Sequence, residues 1–239
     1  MIMKRLFIFT LLFIVFGLSS LLAQKKTSEL GILVGRSYYI GELNPSTHFG
    51  KETGSLNYGI LFRRNLNYRY ALKATLAQTE LRAADEYMDF AFNQARNAKF
   101  QNLVTELAGS IEFNFLPYAI GHNENPFTPY LFVGANIFIS RPETYIDDIQ
   151  VEGSTTDKIT SLAFSFGPGF KLNISPKIGL SFEWGFRKTN NDNIDGLPNR
   201  QLQVFELGKE YDNDWFVSSN FMLTFKVSGQ SKCPVYDNF

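Results

Sequence analysis

Between residues 178 and 187 the chain alternates strictly. Ile178, Leu180, Phe182, Trp184 and Phe186 are large and apolar, whereas Gly179, Ser181, Glu183, Gly185 and Arg187 are small, polar or charged. A period of two sends the two sets to opposite faces of a β-strand. The length, about ten residues, is also what a tilted strand needs to cross a bilayer. One apolar face toward lipid and one polar face toward a barrel lumen is the simplest arrangement that satisfies both sets.

Seven further segments repeat the pattern. Residues 29–41 keep Leu30, Ile32, Val34, Tyr38 and Ile40 in phase. Arg36 interrupts them, either through a bulge at Gly35 or by reaching for the membrane rim. Residues 58–65 set Tyr58, Ile60 and Phe62 against Gly59 and Arg63, and a tight hairpin leads into residues 68–81. There Tyr68, Tyr70, Leu72, Ala74 and Leu76 point outward, with Arg69, Lys73 and Thr75 inward. Residues 102–115 oppose Leu103, Leu107, Ile111, Phe113 and Phe115 to Glu106, Ser110, Glu112 and Asn114. Residues 130–140 are bulky on both faces, with Tyr130, Phe132, Asn136 and Phe138 assigned to the lumen. Residues 160–173 and 215–227 complete the set; Pro168 in the former marks a bulge or a rim position, because it cannot donate to a ladder.

The connections carry a second pattern. Long polar stretches follow the first, third, fifth and seventh segments, at residues 42–57, 82–101, 141–159 and 188–214. Shorter turns follow the others, although residues 116–129 are long for that class. Outer-membrane barrels sort their loops in this way, with short periplasmic turns and long outer loops. The expected fold is therefore an all-β, eight-stranded antiparallel up-and-down transmembrane β-barrel with both termini in the periplasm.

The chain's ends agree with export. A basic start at Lys4 and Arg5, an apolar run over residues 6–22, then Ala23 and the polar Gln24-Lys25-Lys26 predict a secretory signal cut after Ala23. An uncleaved anchor is the alternative. The predicted organisation is a signal peptide at 1–23, an outer-membrane barrel at 24–227 and a periplasmic tail at 228–239. Aromatic residues make up 15% of the chain, with 24 Phe and a single Cys, which argues against a disulfide scaffold. A formal net charge of zero without a basic block argues against nucleic-acid binding.

Eight strands leave an interior just wide enough for side chains. A lumen charge network is predicted there, with Glu106, Glu112 and Glu183 pairing with Arg63, Arg69, Lys73, Lys171, Arg187 and Lys226. Isolated buried charges cost several kcal/mol each. The network is a structural plug of salt bridges or a proton or ion path; passage of folded protein is excluded by size. For catalysis the sequence offers only His48, near Ser46, and His122, with no acid placed to orient either ring. No enzyme, cofactor or metal site is expected, and residues 190–196 read as a polar turn although their composition resembles a calcium loop. Cys233 in the tail is either an intermolecular disulfide partner or a tolerated free thiol.

Several stretches together resemble a known family. They are Tyr38-Tyr39-Ile40-Gly41-Glu42-Leu43-Asn44-Pro45, Glu112-Phe113-Asn114-Phe115, Phe127-Thr128-Pro129-Tyr130-Leu131-Phe132, Glu183-Trp184-Gly185-Phe186-Arg187-Lys188-Thr189, Asn213-Asp214-Trp215 and Cys233-Pro234. This combination is similar to the small outer-membrane barrels of Bacteroidetes that include PorG of the type IX secretion system. The resemblance implies a non-catalytic component associated with outer-membrane lipid and with the periplasmic ring of the lipoprotein PorK and PorN. PorM, which with PorL energises transport from the inner membrane, is a further implied partner. Cys233 would then bond to a cysteine of a ring subunit. The alternative is a stand-alone barrel whose extracellular loops bind a ligand or host factor.

Overall fold

The computed structural model describes residues 27–41, 43, 54–87, 97–121, 125–150, 158–190, 194, 196, 201–202, 205–206 and 214–229. The predicted signal peptide, His48, His122 and Cys233 lie outside the described residues. In chain order the strands are β1 (Thr27–Ile40), β2 (Ser55–Asn65), β3 (Tyr70–Ala84), β4 (Ala98–Asn114), β5 (Phe127–Ser140), β6 (Pro142–Ile146), β7 (Ile149–Gln150), β8 (Ile159–Ser175), β9 (Ile178–Thr189), β10 (Gln201–Leu202), β11 (Phe205–Glu206) and β12 (Trp215–Gly229).

The eight long strands pair antiparallel, each with the next long strand in sequence, and β12 returns to pair with β1. These eight strands thus form a closed barrel, as the alternation predicts. Leu30, Ile32, Ile60, Leu107, Ile137, Leu162 and Phe221 all face outward, and each is 50–59% exposed. Such a continuous apolar surface is untenable in water but is the lipid-facing belt of a membrane-spanning barrel. Aromatic groups gather toward both edges of the belt. On the turn side Tyr70 and Phe113 lie 5.3 Å apart and Phe127 stacks on Phe170 at 5.7 Å. On the loop side Phe166, Phe186, Trp184 and Trp215 form a second group.

The structure decides two points that the alternation leaves open. The β1 register runs unbroken through Gly35 and Arg36, so Arg36 stays on the outward face without a bulge. Pro168 sits mid-strand and outward, opposite Leu131, at neither a bulge nor the rim. It and Gly167 have no partners in the β8–β9 ladder, whose register resumes unchanged at Gly169.

A third long connection holds unpredicted structure. After Ser140 the chain turns so that β6 continues the wall beside the far end of β4, pairing Ala98–Asn102 with Pro142–Ile146. Asp147 and Asp148 take left-handed backbone conformations, with φ of 50° and 62°, and reverse the chain into β7. Two positive-φ residues make the tight hairpin turn whose twist matches its strands.

Candidate functional site

The inward residues of the eight long strands fill the lumen in distinct layers. Nearest the short turns is a charge network to which seven strands each give one polar group. Glu29 comes from β1, Arg63 from β2, Lys73 from β3, Glu112 from β4, Tyr130 from β5, Lys171 from β8 and Glu183 from β9. Period-two alternation places each of them inward, and closure of the sheet brings them together.

Glu112 is the hub. Its carboxylate lies 2.9 Å from Arg63 Nε, 2.5 Å from Lys171 Nζ and 3.4 Å from Lys73 Nζ. Arg63 also donates to Glu29 Oε2 at 3.0 Å, and Asn65 donates to Glu29 Oε1 at 2.6 Å. Lys73 pairs with Glu183, which accepts a further hydrogen bond from the Tyr130 hydroxyl at 2.8 Å. The cations also rest on rings, Lys171 Nζ lying 4.5 Å from the Tyr130 centroid and Lys73 Nζ 4.7 Å from that of Phe132. Three carboxylates face three cations, so the layer carries no net formal charge. Pairing and hydrogen bonding on this scale are what burial of so many charges requires.

A separate pair lies deeper. Arg187 Nε donates to Glu106 at 2.8 Å and its Nη1 donates to Ser218 at 2.6 Å. Asn136 donates to the same Glu106 and accepts from Ser165 at 2.8 Å. On the facing wall Leu33, Leu61, Ala77 and Met222 pack as a small apolar cluster.

Toward the loops the filling becomes apolar. Tyr39, Leu81, Phe100, Val104, Phe138 and Phe216 pack together, joined by Leu43 and Ile194 from the long connections. Tyr39 and Phe100 meet edge to face at 4.9 Å. Asp214 holds this closure: its carboxylate accepts from the Tyr39 hydroxyl at 2.5 Å and from the Ile194 amide at 3.1 Å. Asn102 donates to the Ile194 carbonyl at 2.7 Å. Ile194 thereby folds back across the mouth.

The turn side is shut as well, by the connection that is long for its class. Tyr118, Ala119 and Ile120 are buried beneath the charge network. The Tyr118 amide donates to Tyr68 at 2.9 Å, Asn173 donates to the Ala119 carbonyl at 3.0 Å, and Lys226 Nζ donates to that of Ile120 at 3.3 Å. Gly121, at φ 82°, turns the chain where the Pro176 carbonyl leaves no room for a Cβ. Burial and the nearby Glu29 carboxylate push the Tyr118 phenol well above its ordinary pKa, so it stays neutral.

Of the predicted network, Arg63, Lys73, Glu106, Glu112, Lys171, Glu183 and Arg187 all lie in the lumen. Arg69 does not join them. Its phase along the strand points inward, but it sits in the turn between β2 and β3, where there is no wall. Its guanidinium instead caps the carbonyls of Asn114 and Phe115. Lys226 faces inward yet serves the turn rather than a carboxylate. Sequence reasoning missed Glu29, although it alternates with Leu30 and Ile32. It also missed Asp214 as a clasp. Among the described residues no group of acids, histidines or cysteines is arranged to hold a metal ion.

The sequence profile of a family described as a domain of unknown function, DUF6089, matches residues 4–236. No curated protein matches the chain in sequence. Solved structures with a similar fold include the attachment invasion locus protein Ail of Yersinia pestis, at 9% identity and TM-score 0.44, covering 85% of this chain and 98% of that one. Neisserial surface protein A has 14% identity and TM-score 0.43, covering 84% and 97%. A major outer membrane protein of Thermus thermophilus has 11% identity and TM-score 0.45, covering 84% and 99%. At these values the likenesses carry no weight beyond the barrel's own surface and closure.

Proposed function

The chain belongs to the DUF6089 family, and we propose that it is a non-catalytic outer-membrane anchor of the type IX secretion machinery, holding the periplasmic PorK and PorN ring to the membrane. The observation that carries this reading is the filled lumen. Arg63, Tyr118, Tyr130, Phe138, Lys171 and Phe216 are all fully buried inside it, and both mouths are covered. A barrel blocked in this way works through its surfaces rather than its bore. On the turn side those surfaces are the 115–126 connection and the tail at 228–239, which carries Cys233.

The partner assignment rests on the sequence resemblance, carried by the combination of stretches that ends in Cys233-Pro234. PorK and PorN are the direct partners in this reading, with PorM reaching the ring from the inner membrane. Deleting residues 230–239 tests it. Ring subunits co-purify with the full chain and fall to background with the truncated one, which still inserts as a heat-modifiable barrel. Equal recovery of ring subunits with both chains overturns the anchor. A non-reducing gel of Cys233→Ala beside the full chain reads the covalent arm separately.

The folded β6–β7 hairpin favours a second reading, a stand-alone barrel whose outer loops bind a ligand or host factor. That reading predicts loss of function on replacing the hairpin and indifference to the tail.

A further inference from the structure

Arg36 has no place in the lumen. It stands on the outward face of β1, in phase with the exposed Ile32 and Val34. A cation on the lipid face of a barrel is strongly unfavourable at the membrane midplane and tolerated toward the edges. The ladders fix its level. Arg36 pairs with Ser219 on β12, and Ser219 pairs with Trp184 on β9, so the three form one outward row across adjacent strands. Val34 and Phe221, also paired, lie on the membrane side of that row, while Tyr38 and Val217 lie on the loop side. The row is therefore where the apolar belt gives way to the loop-side aromatic group.

Its polar atoms are held in place. Trp184 Nε1 donates to the Tyr38 hydroxyl at 3.1 Å, and that hydroxyl lies 3.2 Å from Ser219 Oγ. Arg36 Nη2 donates to the Gly54 carbonyl at 2.6 Å, which anchors the guanidinium. A Cβ on Gly54 would fall 2.8 Å from that nitrogen, so a glycine leaves the space the guanidinium occupies. Between these groups is an outward-open pocket of about 390 Å³, headed by Arg36, Tyr38 and Ser219 and walled by Val34 and Phe221.

We infer that this pocket binds the phosphoryl headgroup of a lipid in the loop-side leaflet. Phosphate oxygens accept from the Arg36 guanidinium and from Ser219 Oγ, and an acyl chain of the same lipid lies along Val34 and Phe221. Three features select that occupant. The head of the pocket is cationic, its walls are apolar, and the two meet at headgroup depth. Arginine suits the role because its planar fork matches phosphate oxygens and it is less strongly hydrated than an ammonium.

The test uses the purified full chain in detergent, titrated with bisphosphorylated lipid A and with the same lipid A after dephosphorylation, and read by native mass spectrometry. The wild type binds the phosphorylated lipid at least about tenfold more tightly, the scale of one charge-assisted contact. Arg36→Gln abolishes that preference, and millimolar inorganic phosphate does not displace the lipid. Equal affinity of the wild type for the two lipids overturns the inference without any variant having to fold. An undiminished preference in a heat-modifiable Arg36→Gln barrel also overturns it. Displacement by inorganic phosphate overturns it too, in favour of a site for a free anion.

Discussion

The turn-side half of the lumen is filled with charge and the loop-side half with rings and aliphatic side chains. The two are built differently. In the charged half seven strands each supply one group from a fixed inward position, and every group meets a partner on another strand. Slipping any one strand by a residue would turn its charge into lipid and its apolar set into the network. The charged half therefore fixes register. The apolar half tolerates adjustment between neighbours but depends on Leu43 and Ile194 returning from the connections, clasped by Asp214. One half specifies the closed sheet, and the other seals it.

The largest effect should come from the hub. Glu112→Gln leaves Arg63, Lys73 and Lys171 without their shared carboxylate, and removing one partner of a buried ion pair costs roughly 3–5 kcal/mol. Urea unfolding of the barrel in lipid vesicles reads that loss, and a change within error would contradict a register-fixing network. Next is Phe100→Ala, which opens a cavity in the apolar half at a cost of about 3 kcal/mol. Its cross-strand pairing, followed by backbone NMR, should stay as in the wild type; a register change there would erase the distinction between the halves. Tyr39→Phe removes the hydrogen bond to Asp214 while keeping the ring, for about 1.5 kcal/mol. Faster hydrogen exchange at Ile194 should accompany it. Arg69→Ala should cost under about 1 kcal/mol, because that exposed side chain only caps the carbonyls of Asn114 and Phe115 at the turn. A loss as large as that of Glu112→Gln would return Arg69 to the network.

Most of the barrel is legible in the sequence because alternation and closure are one fact seen twice. Where residues such as Glu183 and Arg187 alternate with Trp184 and Phe186, the chain itself states which side is lumen. Arg69 is misassigned by phase alone, because phase continues through a turn on paper, whereas the wall stops at Asn65 and resumes at Tyr70. Tyr38 keeps its outward phase but is 2% exposed, and its hydroxyl meets Ser219 and Trp184. The Asp147-Asp148 reversal is a readable hairpin signal inside a stretch that otherwise looks like loop. Leu43 and Ile194 are not readable: a connection has no period, and only the folded barrel shows which of its apolar residues return. Partner identity is not written in periodicity, which reports only which face of a strand a residue takes.

Charge at one end and rings at the other fill this barrel from end to end. Single-channel recording of the purified full chain in planar lipid bilayers tests this filling most directly. The wild type should be silent, with no ionic steps across the accessible voltage range. Stable, water-filled conductance steps from the wild-type barrel would contradict it.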